Sequence, residues 1–208
     1  TRYPLVTGVQ TCALPILCDL LIICDPDIII FSVKEINIKN SGDNKLDNER
    51  WERKAIEESV SQIYGAERII SMKEEVLLKD KKTKIKLPEN GVRNIYRIAV
   101  AFGRGERFSL KFGDFGKGFV HVFDEQSIRI VLSELNTISD FVGFLQSMET
   151  FISKGIRHIA FSHEDYLAMH LLQGLDVSDD TNILIIDSNY CAEYYKSKEY
   201  SEYKNEYK

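Results

Sequence analysis

Two apolar runs stand close together near the start of the chain, residues 18–24 (CDLLIIC) and 27–36 (DIIIFSVKEI), separated by Asp25-Pro26-Asp27. Both are apolar on successive positions, the pattern of strands covered on both faces. The Asp-Pro-Asp break has the chemistry of a tight turn. A β-hairpin at the centre of a sheet is therefore predicted. Residues 37–46 turn polar around Ser41-Gly42-Asp43 and read as a loop. From Asp47 to about Met72 the period becomes helical, with Trp51, Ala55, Ile56, Val60, Ile63, Tyr64 and Ile70 at three- and four-residue steps. Gly65 lies inside that run, where it weakens a helix and suggests close packing or a local break.

Residues 73–93 alternate weakly through KDKKTKIK to Pro88-Glu89-Asn90-Gly91, the pattern of a hairpin ending in a turn. A second apolar block predicts strands at 95–102, 107–112, 118–123, 156–161 and 182–187, with a helix over 124–135. Thr137 with Asp140, and Ser162 with Asp165, have capping-box spacing. They predict helices to Lys154 and to Gln173, closed by Gly155 and Gly174. Phe141, Phe144, Leu145, Met148 and Phe151 form the expected buried stripe of the first of these two helices.

The fold class is α/β, with a hairpin-plus-helix unit followed by a second mixed sheet-and-helix region. The expected division is residues 17–92 and 93–208, the second region ending short of its natural C-terminus. Residues 1–16 (TRYPLVTGVQTCALPI) resemble the translation of a sequencing adapter, whose constant part reads in frame as Val6 to Ile16. They are set aside from the expected fold.

A chain of 208 residues, 44% of them hydrophobic, can bury one core or two small ones. The balance of 27 basic against 32 acidic residues argues against general coating of nucleic acid, while leaving room for a local basic groove. Cysteines at 12, 18, 24 and 191 follow no metal spacing, so reduced thiols and a cytoplasmic location are expected. No apolar run reaches the roughly 18 residues of a membrane span, so no membrane is expected among the partners.

The candidate chemistry lies on the hairpin. Asp19 opens the first strand. On the second, alternation puts Ile28, Ile30, Ser32 and Lys34 on one face and Ile29, Phe31 and Val33 on the other. An acid and a lysine at one rim of a sheet are a minimal set for phosphodiester hydrolysis, which needs carboxylates for Mg²⁺ and a cation for the attacking water and developing charge. This stretch resembles the PD-(D/E)XK nuclease superfamily, whose members carry an acid on one strand, acid-x-Lys on the next, and a helix that completes the site. The resemblance covers about residues 17–72. The strings IIIFS-x-K and QIYGAER are also similar to segments of bacterial proteins with no assigned activity.

The resemblance implies a restriction-endonuclease-like N-terminal unit. It implies Asp19 as a metal ligand, Lys34 as the residue that orients water or stabilises charge, and Gln62 and Tyr64 as helix contributions. Ser32 stands where the acid of acid-x-Lys is expected, and Glu57 or Glu58 on the helix is the candidate replacement ligand. A Glu expected from a preceding helix falls at Ile16, so the site is expected to be incomplete. The function expected on this basis is Mg²⁺-dependent cleavage of nucleic acid, with host defence or DNA processing as its extension. The alternative is a non-catalytic interaction or scaffold protein that keeps the fold, as Ser32 suggests. Convergence of Asp19 and Lys34 with Glu35, Glu57 or Glu58 separates the two.

Other candidates carry less. Lys79, Lys81, Lys82, Lys84 and Lys86 suit a solvated edge better than a phosphate track. Phe112 to Gly118 (FGDFGKG) lacks Walker spacing and reads as a Gly-rich turn between strands. His163 and His170 are seven apart on an expected helix, nearly two turns, a spacing compatible with one face, and surface or packing histidines are the reading preferred over metal. The tail from Tyr194 reads as a frayed helix.

Overall fold

The computed structural model describes residues 5–7, 18–78, 80, 82–103, 111–159, 162–175, 178, 181, 183–185 and 194–197. The chain is mixed α/β and divides into two compact units, residues 1–125 and 126–208.

In the first unit, β1 (Leu5–Thr7), β2 (Leu20–Cys24) and β3 (Asp27–Glu35) are followed by a continuous helical run. The run comprises α1 (Asn44–Trp51), a π-helical turn over Glu52–Glu57, and α2 (Glu58–Ser71). The small hairpin β4 (Glu75–Leu77) and β5 (Lys84–Lys86) precedes β6 (Asn94–Phe102), β7 (Gly113–Asp114) and β8 (Phe119–Phe123). The main sheet has the order β1-β2-β3-β6-β8-β7. β2 and β3 pair antiparallel across the two-residue turn Asp25-Pro26, whose peptide bond is cis. β6 and β8 continue the sheet parallel to β3.

The expected boundary at 92/93 does not hold. β6 pairs with β3 along nine residues, from Asp27 opposite Asn94 to Glu35 opposite Phe102, so the sheet runs through it. Asn94 pins the register at the open end, its side-chain amide donating to Asp27 at 2.9 Å and its backbone N–H to the Pro26 carbonyl at 3.2 Å. The stretch set aside at the N-terminus also contributes. Leu5–Thr7 pair antiparallel with Leu20–Ile22, because the outer backbone groups of β2 offer a free ladder. The other residues of 1–16 lie outside the described residues.

Both faces of the sheet are buried, as the unbroken apolar runs require. Ile28 and Ile30 pack with Ile56, Val60, Ile63 and Ile70 of the helical run on one face. Ile29, Phe31, Ile98 and Phe123 are buried on the other. The helix begins earlier than predicted because Asp43, read as loop, is its N-cap, accepting from the N–H groups of Lys45 and Leu46. Its irregularity is the π turn. There the wider winding keeps Trp51 and Ile56, five positions apart, on the sheet side. Gly65 neither breaks the helix nor makes a close approach, since nothing lies within 4 Å of an added Cβ. Gly65→Ala is therefore expected to stabilise the protein by about 1 kcal/mol, read as a higher urea midpoint at unchanged slope.

The far end of α2 is closed by residues from the segment before β6. Arg93 donates to the carbonyls of Ile70 and Lys73, each at 2.8 Å, and to that of Pro88, while the Asn90 amide donates to the Ser71 carbonyl at 2.9 Å. A cation at the last carbonyls of a helix also complements its dipole. Lys82, Lys84 and Lys86 of the small hairpin are exposed and Lys84 pairs with Glu75, in keeping with a solvated edge. Lys79 and Lys81 lie outside the described residues. So do residues 107–110 of the strand predicted at 107–112. Lys111 and Phe112 are not in a strand, and the short β7 begins only at Gly113.

The second unit contains α3 (Glu125–Glu134), α4 (Ile138–Ser153), β9 (Arg157–Ile159), α5 (His163–Gln173) and β10 (Ile183–Ile185). β9 and β10 pair parallel, with α5 as the crossover. Both predicted caps form. Thr137 accepts from the Asp140 N–H at 3.1 Å, and Ser162 and Asp165 bond reciprocally. Gly174 closes α5 in the left-handed conformation, φ 73°. Phe141, Phe144, Leu145, Met148 and Phe151 are all buried. Among the described residues no helix is long and apolar enough to cross a membrane.

Candidate functional site

Asp19 precedes β2, where the ladder with β3 is ending. Its backbone N–H donates to the Phe31 carbonyl at 3.0 Å, and its Oδ2 accepts from the Val33 N–H at 2.7 Å. The carboxylate thus extends the hairpin by standing in for a backbone acceptor. Two strand positions away from the buried Ile30, Ser32 turns to the helix side and is fully buried. There its hydroxyl donates to Gln62 Oε1 of α2 at 3.1 Å. Strand alternation puts Lys34 on this same side at the rim, half-buried. No ion pair within 4.0 Å joins it to Asp19.

The structure therefore brings Asp19, Ser32, Lys34 and Gln62 to one end of the β2–β3 pair, with Ser32 and Gln62 in direct contact. It does not bring in the helix carboxylates. Glu57 ends the π turn and Glu58 begins α2, and both are exposed on the solvent side, as is Glu35 at the end of β3. The expected ligand set of Asp19, Glu57 and Glu58 is not gathered in one place among the described residues. Among the described residues no group of three or more His, Cys, Asp or Glu is placed to hold a metal ion. Glu57 and Glu58 lie in solvent and Asp19 gives Oδ2 to a backbone N–H, so these three carboxylates do not converge as oxygen ligands of one Mg²⁺ at roughly 2.1 Å would.

The helix string QIYGAER points at the sheet through three residues, one of them, Glu67, outside the expected site. Tyr64 donates its hydroxyl to the Gly118 carbonyl at 2.7 Å. Burial pushes this phenol above its ordinary range, the Asp114 charge adds to the shift, and backbone hydrogen bonds and Arg97 oppose it. Glu67 holds Arg97 of β6 by a two-point pair, with Arg97 Nε to Oε2 at 2.6 Å. Arg97 lies against Gly118, where an added Cβ would meet its guanidinium at 3.0 Å, and φ is +109°. The FGDFGKG segment is a strand-to-strand turn, as read. Asp114 Oδ1 accepts from the N–H groups of Gly116 at 2.6 Å and Gly118 at 3.0 Å.

The contacts of Glu67 with Arg97 and of Arg97 with Gly118 leave no direct signal in the sequence, because nothing in the chain shows that β6 lies beside β3. The one available signal was the clustering of Gln62, Tyr64 and Glu67 within two turns of a helix. Cys18, beside Asp19, is fully buried, and burial pushes its thiol up to about 12, with the Asp19 charge adding to the shift. It is an inert packing group at neutral pH.

Comparison with protein families, with curated proteins and with solved structures found no match for the chain.

Proposed function

We propose that the chain is a non-catalytic interaction protein, similar in its strand–strand–helix arrangement to the PD-(D/E)XK nucleases, in which the positions of metal chemistry serve packing. The observation that carries this reading is the buried Ser32 hydroxyl on Gln62 at 3.1 Å, in the position where the resemblance calls for a carboxylate. Two further facts support it. The Asp19 Oδ2 accepts from the Val33 N–H, and Glu57 and Glu58 face solvent. The side chains at this rim therefore join a hairpin to a helix, which is what a rigid platform for a partner requires.

A second reading, a Mg²⁺-dependent nuclease, is favoured by one observation. Asp19 and Lys34 stand at the same end of the β2–β3 pair, the positions that the resemblance assigns to chemistry. Cleavage assays on DNA and RNA with Mg²⁺ or Mn²⁺ distinguish the two. The full chain is expected to give no cleavage above that of Asp19→Ala or Lys34→Ala. Metal-dependent cleavage that either substitution abolishes would establish the nuclease and remove the platform reading.

A further inference from the structure

The two histidines of α5 share a face, and that face packs on α4. His163 is buried and its ring lies 6.5 Å from that of Tyr166. Tyr166 meets Phe151 of α4 edge-on at 5.8 Å, and His170 meets Phe144 of α4 edge-on at 5.5 Å. Phe144 and Phe151 are essentially inaccessible to solvent, while His170 is half-buried at the end of the seam. Within it, His170 Nδ1 is buried and has no hydrogen-bond partner among the described residues.

We propose that the α4–α5 seam is an acid-sensitive joint, which holds while His170 is neutral and loosens when its ring takes up a second proton. A neutral imidazole can leave one nitrogen as an unused acceptor at modest cost. An imidazolium must donate from both nitrogens. At Nδ1 the described residues offer no acceptor, and that nitrogen is out of reach of water, so the charged form is disfavoured in the packed state.

The charged and titratable groups facing His170 do not reverse this. From α4 the group is Asp140, whose carboxylate accepts from the Thr137 hydroxyl at 2.7 Å as part of the helix cap. From α5 itself they are Tyr166 and His163, one and two turns earlier. Burial lowers the His170 value below its ordinary 6.5, and the Asp140 charge opposes the shift without cancelling it. The folded state therefore binds its proton less readily than the unfolded state. The associated stability is complete above the ordinary histidine value and is lost as pH falls through the lowered folded value.

The test uses the full chain at about pH 7.5 and about pH 5.5, on either side of the ordinary histidine range. Proton NMR of the imidazole ring is expected to give His170 a titration midpoint below the ordinary value. Amide exchange, corrected for its intrinsic pH dependence, is expected to show α5 losing protection at the lower pH. Urea unfolding is expected to give an equilibrium constant that rises more on acidification in the native chain than in His170→Gln, which is neutral throughout. A midpoint at or above the ordinary value would overturn the proposal. So would α5 protection that does not change with pH, or equal acid sensitivity in His170→Gln. If that variant does not fold, the ring titration and the exchange measurement on the unsubstituted chain still decide.

Discussion

Ser32→Asp is expected to destabilise the first unit by roughly 3–5 kcal/mol near neutral pH, because it puts a charge at a fully buried strand position. Gln62 can rotate its amide to donate to the new carboxylate, which offsets part of the cost. Ser32→Ala is the control, losing one neutral hydrogen bond for about 0.5–1.5 kcal/mol. Burial raises the pKa of an introduced Asp. Its penalty should therefore shrink as pH falls through that raised value, where the group becomes neutral. Urea titrations at two pH values check this. The nuclease reading expects the opposite response to metal. There the substitution restores a ligand, and Mg²⁺ or Mn²⁺ should raise the thermal midpoint of the variant by mass action. A metal-dependent rise in Ser32→Asp that is absent from Ser32→Ala would reassign this rim as a metal centre.

Phe144→Ala in the second unit is expected to cost about 3–5 kcal/mol, since the ring is fully buried and forms the α4 side of the seam with α5. Phe144→Leu fills most of the space and should cost under about 1.5 kcal/mol. Both are read as lower urea midpoints by far-UV circular dichroism. Near-equal effects of the two substitutions would mean that the seam can close around the loss, and that α4 is held by its other buried residues.

Local signals account for much of the fold. The β2–β3 hairpin follows from two unbroken apolar runs around Asp-Pro-Asp, and the caps at Thr137 and Ser162 follow from side chains three residues apart. The buried stripe of α4 follows from its period. What was not legible is long-range. The parallel pairing of β3 with β6 leaves no local trace, because the two strands are joined through a helical run and a hairpin rather than a turn. The expected boundary at 92/93 failed for that reason. The candidate site was legible as a set of neighbours on the hairpin, but not as chemistry. Spacing predicts that Ser32 and Lys34 share a face. It does not say that Ser32 spends its hydroxyl on Gln62, or that Asp19 spends its carboxylate on a backbone N–H.

The pairing of β3 with β6 also sets the order in which the first unit can assemble. β3 ends at Glu35 and β6 begins at Asn94, so their nine-residue ladder forms only after the whole intervening segment has closed into a loop. Closing a loop of that length costs entropy before any strand–strand bond is gained. The β2–β3 hairpin and the helix from Asn44 to Ser71 need no such closure and can form early. Residues on α2 that meet the hairpin, such as Ile63, then shorten the search by docking the helix first. A hairpin–helix contact is therefore the expected nucleus of this unit, with the β3–β6 pair expected to close after it, and a chain that lacks β6 would expose one edge of β3 to pairing with other molecules.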